Sequence, residues 1–169
     1  MRTIAKIVAE YGQKNYPLGK CIYREEVPYL TSQLKHLLAI VDDKLNFTPE
    51  SLIILEDKLS AWSKEVNIKS LEDDEIVEIV REVAAYYGEV LALYADGKWE
   101  SRQTLWGTCI VIEGNVKVTK EGRNRIVPSV AVSLGNIGAV TLELIYQGKR
   151  FNLYKDFLRA KKKIFKEEI

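Results

Sequence analysis

The side chains best suited to binding chemistry lie near the end of the longest helical pattern in the chain and just after it. Tyr86 and Glu89 are three residues apart, so they share one side of a helix. Trp99 and Trp106 follow where the helical pattern ends. If these side chains converge, they form an aromatic-lined polar pocket of the kind that binds ligands or partners. The alternative is a junction in which both tryptophans pack in the core and Glu89 is solvated.

Residues for metal binding or nucleophilic catalysis are few. The chain has one histidine, His36, and two cysteines, Cys21 and Cys109, without CxxC spacing. His36 is expected to face solvent on its helix, so we expect neither a histidine-based metal site nor a Ser-His-Asp triad. No GxGxxG, GxxxxGK or HExxH pattern occurs. The sequence therefore predicts no metal and no cofactor, and it favours a protein that is not an enzyme.

The element that must position these residues is a central helix. Between Ser70 and Trp99, apolar residues recur at spacings of three and four, which predicts a helix with a broad buried arc. Its start is expected at Ser70, and its end at the turn dipeptide Asp96-Gly97. A further stripe of the helix is predicted to face away from the core into solvent: Glu75, Glu78, Glu82, Tyr86 and Glu89.

The remaining patterns place the central helix in one α+β domain over residues 1–169. Helices are predicted near the N-terminus up to Gly12, from Leu30 to Leu45, and from Thr48-Pro49 to about Asn67. After Trp99 the pattern alternates and predicts an antiparallel meander of about four strands. These strands cover 105–112, 116–119, 126–134 and 139–146. We expect the N-terminal helices to pack on this sheet, with a final C-terminal helix.

Composition and charge exclude several classes of protein. Hydrophobic residues make up 47% and charged residues 29% of the chain, as in globular rather than disordered proteins. The net charge of +1 predicts no general affinity for nucleic acid or membranes. No apolar run is long enough to span a bilayer, and the N-terminal stretch lacks the apolar core of a signal peptide. With both cysteines expected to be reduced, we predict a cytoplasmic location.

Three short motifs lie in the middle of the chain. They are FTPESLIILEDKL at residues 47–59, AAYYGEVL at residues 84–91, and Gly97 with Trp99. Together they resemble a group of uncharacterised bacterial proteins that share a Pro-Glu-Ser-Leu helix start and a Tyr-x-Gly-Glu helix followed by Gly and Trp. The resemblance covers about the middle third of the chain. It implies a small bacterial protein that acts as an interaction module or a neutralising partner, and it implies no particular activity.

The leading functional prediction is a small intracellular protein that acts as a non-catalytic protein-binding or immunity-type module. The aromatic residues around Glu89 would give contact area, while its charge would orient a basic or amphipathic partner. Two alternatives stay open. A carboxylate-based enzyme would use a pocket near Glu89 in which the pKa of a glutamate is strongly raised. A weak nucleic-acid binder would use the basic run from Arg159 to Lys163 in the C-terminal helix, which is otherwise a solvated face.

Overall fold

A computed structural model of the chain describes residues 22–41, 43–66, 70–101, 108–112, 116–118, 121–126, 130–133 and 153–164. This described part is mostly helical. Its four α-helices are α1 (Val27–Leu37), α2 (Ser51–Glu65), α3 (Asp73–Ala95) and α4 (Leu153–Ile164). A short 3-10 turn, Arg24–Glu26, leads into α1. None of the described helices combines the length and the apolar character that a bilayer span requires.

Helix α3 is the centre of the core, as the apolar pattern predicts. It begins at a capping box, in which the Glu72 backbone N–H donates to the Glu75 carboxylate across 2.9 Å, two residues after the predicted start. It ends where Asp96 adopts a left-handed conformation and the Gly97 N–H bonds back to the Ala92 carbonyl at 2.9 Å. The predicted end at Asp96-Gly97 is therefore confirmed.

The other helices contribute leucine and phenylalanine side chains to the same core. Leu34 of α1, Leu55 of α2 and Phe157 of α4 are each at most 1% exposed. Burying a side chain of this size stabilises the fold by about 1.5–3 kcal/mol. Helix α4 is fixed at its N-terminal end by Glu56 of α2, whose buried carboxylate accepts the backbone N–H of Tyr154. This bond satisfies an amide of the first turn that has no partner within its own helix.

Helix α1 is shorter than predicted. It ends at Leu37 instead of continuing to Leu45, because Ala39 takes a positive φ of 50° and the Ile40 N–H bonds to the Lys35 carbonyl. Helix α2 begins at Ser51, two residues after Pro49, and the hydroxyl of Thr48 accepts the Ser51 N–H at 3.3 Å. The predicted Thr48-Pro49 start is thus correct to within one turn.

In the described part of the chain, five short strands follow α3. They are β1 (Lys98–Ser101), β2 (Thr108–Ile112), β3 (Val116–Val118), β4 (Asn124–Ile126) and β5 (Val130–Ser133). Strand β2 pairs antiparallel with β1 on one side and with β5 on the other, in the order β1-β2-β5. Strands β3 and β4 form a separate antiparallel pair. In the first group, Trp99 lies opposite Ile110.

The prediction of an α+β fold built on an antiparallel sheet of about four strands is wrong. The described part of the chain is mostly helical and contains no antiparallel sheet of four strands. The predicted run 126–134 is divided between β4, which pairs with β3, and β5, which pairs with β2. Alternation identifies extended segments, but the size of a sheet depends on pairing over long distances in sequence. The predicted N-terminal helix and the predicted strand 139–146 lie outside the described residues.

Candidate functional site

Glu89 lies at the junction between α3 and β1, where two side chains hold its carboxylate. Its Oε2 atom accepts a hydrogen bond from the indole N–H of Trp99 at 2.9 Å. Its Oε1 atom accepts one from the guanidinium of Arg24 at 3.2 Å. Glu89 is 7% exposed, whereas the Arg24 side chain is 60% exposed. A buried carboxylate requires paired charge and hydrogen bonds, and here the chain itself supplies both. Both oxygens of Glu89 are therefore already hydrogen-bonded within the chain.

Tyr86 belongs to a different group of contacts, one turn earlier on α3. The Phe47 backbone N–H donates to the Tyr86 hydroxyl at 3.0 Å. The Tyr86 hydroxyl lies 2.5 Å from the Ser51 hydroxyl, which donates to the Thr48 carbonyl. Each polar group in this series of hydrogen bonds therefore has a donor or an acceptor, and the Tyr86 hydroxyl donates to the Ser51 hydroxyl. Burial raises the pKa of Tyr86, while the bonds to Ser51 and Phe47 oppose that change.

The Tyr86 group fixes the loop that precedes α2. Phe47 has a φ of 61°, in the left-handed region that a bulky residue avoids at a cost of roughly 1–2 kcal/mol. Its ring stacks on Tyr86 with centroids 4.9 Å apart, and its N–H is bonded to the same residue. These two contacts stabilise the unfavourable backbone conformation. Tyr86 thus supports the conformation of the loop before α2.

The structure brings together two of the four predicted site residues. Glu89 and Trp99 are in direct contact, Tyr86 contacts the loop at Phe47, and Trp106 lies outside the described residues. The prediction that Tyr86 and Glu89 face solvent is wrong, since they are 0% and 7% exposed. Every residue from Ile79 to Ala92 is buried, so this part of α3 is covered on the side of the acidic stripe as well as on its apolar arc. Glu75 and Glu78, at the start of the stripe, are exposed and half-exposed.

A second charged group, which the sequence reasoning missed, surrounds Arg81. One guanidinium nitrogen of Arg81 donates to both carboxylate oxygens of Glu26, at 3.0 and 2.9 Å. Its other terminal nitrogen lies 3.6 Å from Glu78. Arg81 is 6% exposed, so these carboxylates compensate a buried positive charge. The local signal was the spacing of Glu78, Arg81 and Glu82 on one helix, while Glu26 is too distant in sequence for any local pattern to find.

Glu82, beside the charged group around Arg81, is unusual for an ionisable residue in its burial and its pKa. It is 6% exposed, and its Oε2 atom finds no hydrogen-bond partner in the described part of the chain. Desolvation by burial, followed by the nearby charge of Glu78, raises the pKa of Glu82 from 4.5 to about 7. The sequence predicted a solvated Glu82, and burial of the acidic stripe explains the difference. A raised glutamate pKa thus occurs on this helix, two turns away from Glu89.

The described residues offer no metal centre. No group of three or more His, Cys, Asp or Glu side chains among them is arranged to hold a metal ion. His36 is exposed on α1, as predicted, and Cys109 lies in β2. Cys21 lies outside the described residues.

Comparison with known proteins adds no relative to this description. No protein-family model matches the chain, and neither a curated protein nor a solved structure is significantly similar to it.

Proposed function

We propose that the protein is a non-catalytic intracellular module that binds another protein, of the immunity or regulatory type. The observation that carries this proposal is the exposure of two tyrosines beside the start of α1. Tyr29 is 64% exposed and Tyr23 is 51% exposed. Between them in sequence, the exposed guanidinium of Arg24 is held by Glu89. Tyrosine and arginine are the residue types most enriched where interfaces concentrate their binding energy. We call Tyr23, Arg24 and Tyr29 the tyrosine surface.

The position of Tyr29 on α1 supports this reading. Glu25, Tyr29, Ser32 and His36 follow one another at spacings of three or four residues, and all are exposed. Tyr29, Ser32 and His36 therefore share the outer side of α1, opposite the buried Leu30 and Leu34, and Glu25 precedes them in the 3-10 turn. A helix that is anchored in the core on one side and presents an aromatic residue on the other is a rigid platform. Binding to it requires little ordering of the backbone, which favours affinity.

The contact between Arg24 and Glu89 gives Glu89 a supporting role in this proposal. The expectation was that Glu89 itself would anchor the partner. With Oε1 on Arg24 and Oε2 on Trp99, Glu89 instead limits the positions that the exposed Arg24 can adopt. A guanidinium that is already oriented loses less side-chain entropy when a partner binds. Arg24 is then the charged contact, and Glu89 is the residue that positions it.

A carboxylate-based enzyme is the second candidate, and Glu82 is the observation that favours it. A carboxyl group with a pKa of about 7 is suited to general acid–base catalysis. Catalysis also requires a nucleophile or a second proton carrier within hydrogen-bond reach. The Oε2 atom of Glu82 has no such neighbour in the described residues. Binding is therefore the better supported proposal.

Nucleic-acid binding through the basic run is the third candidate, and it gains little support. Arg159 is exposed on α4, and its guanidinium lies 3.8 Å from the Asp156 carboxylate. This pair reduces the positive charge that the helix presents. Retention of the protein on a polyanion that persists at moderate salt concentration would favour this candidate, since nonspecific phosphate contacts weaken steeply with salt.

The proposal is tested by quantitative affinity capture from the native host with three baits. These are the wild-type protein, Tyr29→Ala, and the matched control Leu93→Ala, which truncates an exposed apolar residue on α3 that is 55% exposed. We expect one host protein to be enriched on the wild-type and Leu93→Ala baits and depleted on Tyr29→Ala. The three baits should have the same melting midpoint. Equal capture by all three baits would count against the tyrosine surface.

A further inference from the structure

Charged side chains are unevenly matched where the Arg24–Glu26 turn lies against α3. Two guanidiniums, those of Arg24 and Arg81, face carboxylates from both elements. Arg24 is bonded to Glu89 at 3.2 Å, and Arg81 is bonded to Glu26 at 2.9 Å. The remaining two carboxylates of this interface belong to Glu78 and Glu82. With the exposed Glu25, the turn and this part of α3 therefore contribute five carboxylates and two guanidiniums among the described residues.

The two remaining carboxylates are in different situations. Glu78 has a side chain that is 45% exposed and lies 3.6 Å from the Arg81 guanidinium. Glu82 is one turn further along α3 and is 6% exposed, with Oε2 unpartnered in the described part of the chain. A buried carboxylate oxygen without a donor is costly, and such atoms in native structures call for an explanation. Glu78 and Glu82 are four residues apart on α3, so a half-exposed carboxylate and a buried one lie on the same side of the helix.

We propose that Glu78 and Glu82 form the acceptor for a cationic side chain, a guanidinium or an ammonium group, of the partner protein. This inference rests on the proposed function and specifies the chemistry of the partner. A guanidinium has five N–H donors in a planar arrangement and can therefore serve two carboxylates at once.

The neighbouring contacts allow this exchange. Glu78 would give up its 3.6 Å contact with one terminal nitrogen of Arg81, while the two bonds to Glu26 are made by the other terminal nitrogen. Glu89 is two turns further along α3 than Glu82, and its charge is already paired with Arg24. Binding of a cation would also supply the opposite charge that the Glu82 carboxylate lacks, which favours its ionised form.

The test uses methylguanidinium chloride as a probe, with sodium chloride at the same ionic strength as the reference. Carboxyl carbon NMR follows the Glu82 resonance, identified by its absence in Glu82→Gln, at about one pH unit above the pKa of about 7. Glu78→Gln removes the exposed half of the acceptor. Glu65→Gln is the matched control, since it removes the same charge from an exposed position on α2.

We expect the Glu82 resonance of the wild-type protein and of Glu65→Gln to shift with methylguanidinium in a saturable manner. In Glu78→Gln the apparent affinity should fall roughly fivefold or more. A Glu82 resonance that responds equally to methylguanidinium and sodium, or that responds equally in Glu78→Gln and the wild type, would overturn the inference. That failure is distinct from failure of the proposed function, because it leaves the capture by the tyrosine surface unchanged. Conversely, saturable methylguanidinium binding without any captured protein would support the acceptor and reject the protein-binding function.

Discussion

Trp99 donates its indole N–H to the Glu89 carboxylate across 2.9 Å, and this bond joins the end of α3 to β1. The same carboxylate accepts a hydrogen bond from the guanidinium of Arg24. Arg24 lies at the start of the described chain and 65 residues away in sequence. One buried glutamate therefore ties together three segments of the protein. Its removal should affect stability first and binding only through Arg24.

Glu89→Ala should lower the free energy of unfolding by about 2 kcal/mol, because it leaves the partly buried indole N–H of Trp99 without an acceptor. Arg24→Ala should cost about 1 kcal/mol, less than Glu89→Ala, since it leaves the buried Glu89 carboxylate without its opposite charge but keeps the Trp99 bond. Glu89→Gln keeps an acceptor oxygen and should recover part of the loss. Urea unfolding at neutral pH measures all three variants. Equal and small losses for Glu89→Ala and Arg24→Ala would show that the Trp99 bond contributes nothing.

Tyr86→Phe should lower the free energy of unfolding by about 1–3 kcal/mol. The variant keeps the ring that stacks on Phe47 but deletes the hydroxyl that accepts the Phe47 N–H and contacts Ser51. Tyr29→Phe is the control, because it deletes an exposed hydroxyl and should change stability by less than about 0.5 kcal/mol. The comparison is made by urea unfolding. If Tyr86→Phe proves as mild as Tyr29→Phe, the loop before α2 is held by stacking alone.

Glu82 should make stability depend on pH in an unusual direction. Its pKa is about 7 in the folded protein and 4.5 in the reference state. Folding favours the neutral form of Glu82. The contribution of Glu82 to the free energy of unfolding is therefore complete below about pH 4.5 and is lost as the pH rises to about 7. The loss should be about 3 kcal/mol.

Glu82→Gln isolates this effect, because glutamine stays neutral at every pH. The difference in unfolding free energy between Glu82→Gln and the wild type should grow in favour of the variant between about pH 4.5 and 7, then remain constant. Glu65→Gln, at an exposed position, should follow the wild-type curve. Denaturant melts over this pH range provide the measurement. Parallel curves for the wild type and Glu82→Gln would mean that Glu82 ionises normally in the folded protein.

Glu56→Ala should loosen the attachment of α4 to α2. The carboxylate accepts the Tyr154 N–H in the first turn of α4, and losing a helix cap of this kind costs about 1 kcal/mol, with a range of roughly 0.5–2. Glu65→Ala, which removes an exposed carboxylate from the same helix, should be neutral within about 0.5 kcal/mol. Hydrogen exchange at the first amides of α4 provides a local readout. Faster exchange at Tyr154 is expected in Glu56→Ala and should be absent in Glu65→Ala.

The helices could be predicted from the sequence because their signals are local. The apolar spacing of α3 and the Asp96-Gly97 stop each involve residues within a few positions of one another. The prediction failed where α1 was extended through Ala39, whose positive φ is unusual for alanine and has no signature in the sequence. It failed again for the sheet, because alternation marks strands without identifying their partners.

The candidate site was harder to predict, for a related reason. Helical spacing correctly places Tyr86 and Glu89 on one stripe, but it cannot reveal whether another segment covers that stripe. The covering contacts come from Arg24 and from Phe47, which are 65 and 39 residues away from their partners in sequence. The same burial makes Glu82 unusual. Each of these features depends on tertiary contacts, so a single sequence contained no pattern from which to infer them.

The central claim is that the tyrosine surface binds a protein, and the Kd of the captured partner for purified variants tests it most directly. Titration calorimetry should give a Kd for Tyr29→Ala at least about tenfold weaker than for the wild type, equivalent to 1.4 kcal/mol, with the melting midpoint unchanged. Leu93→Ala should bind with the wild-type Kd. If the partner binds Tyr29→Ala as tightly as the wild type, or if the wild-type protein captures no partner that binds it in purified form, the account is contradicted.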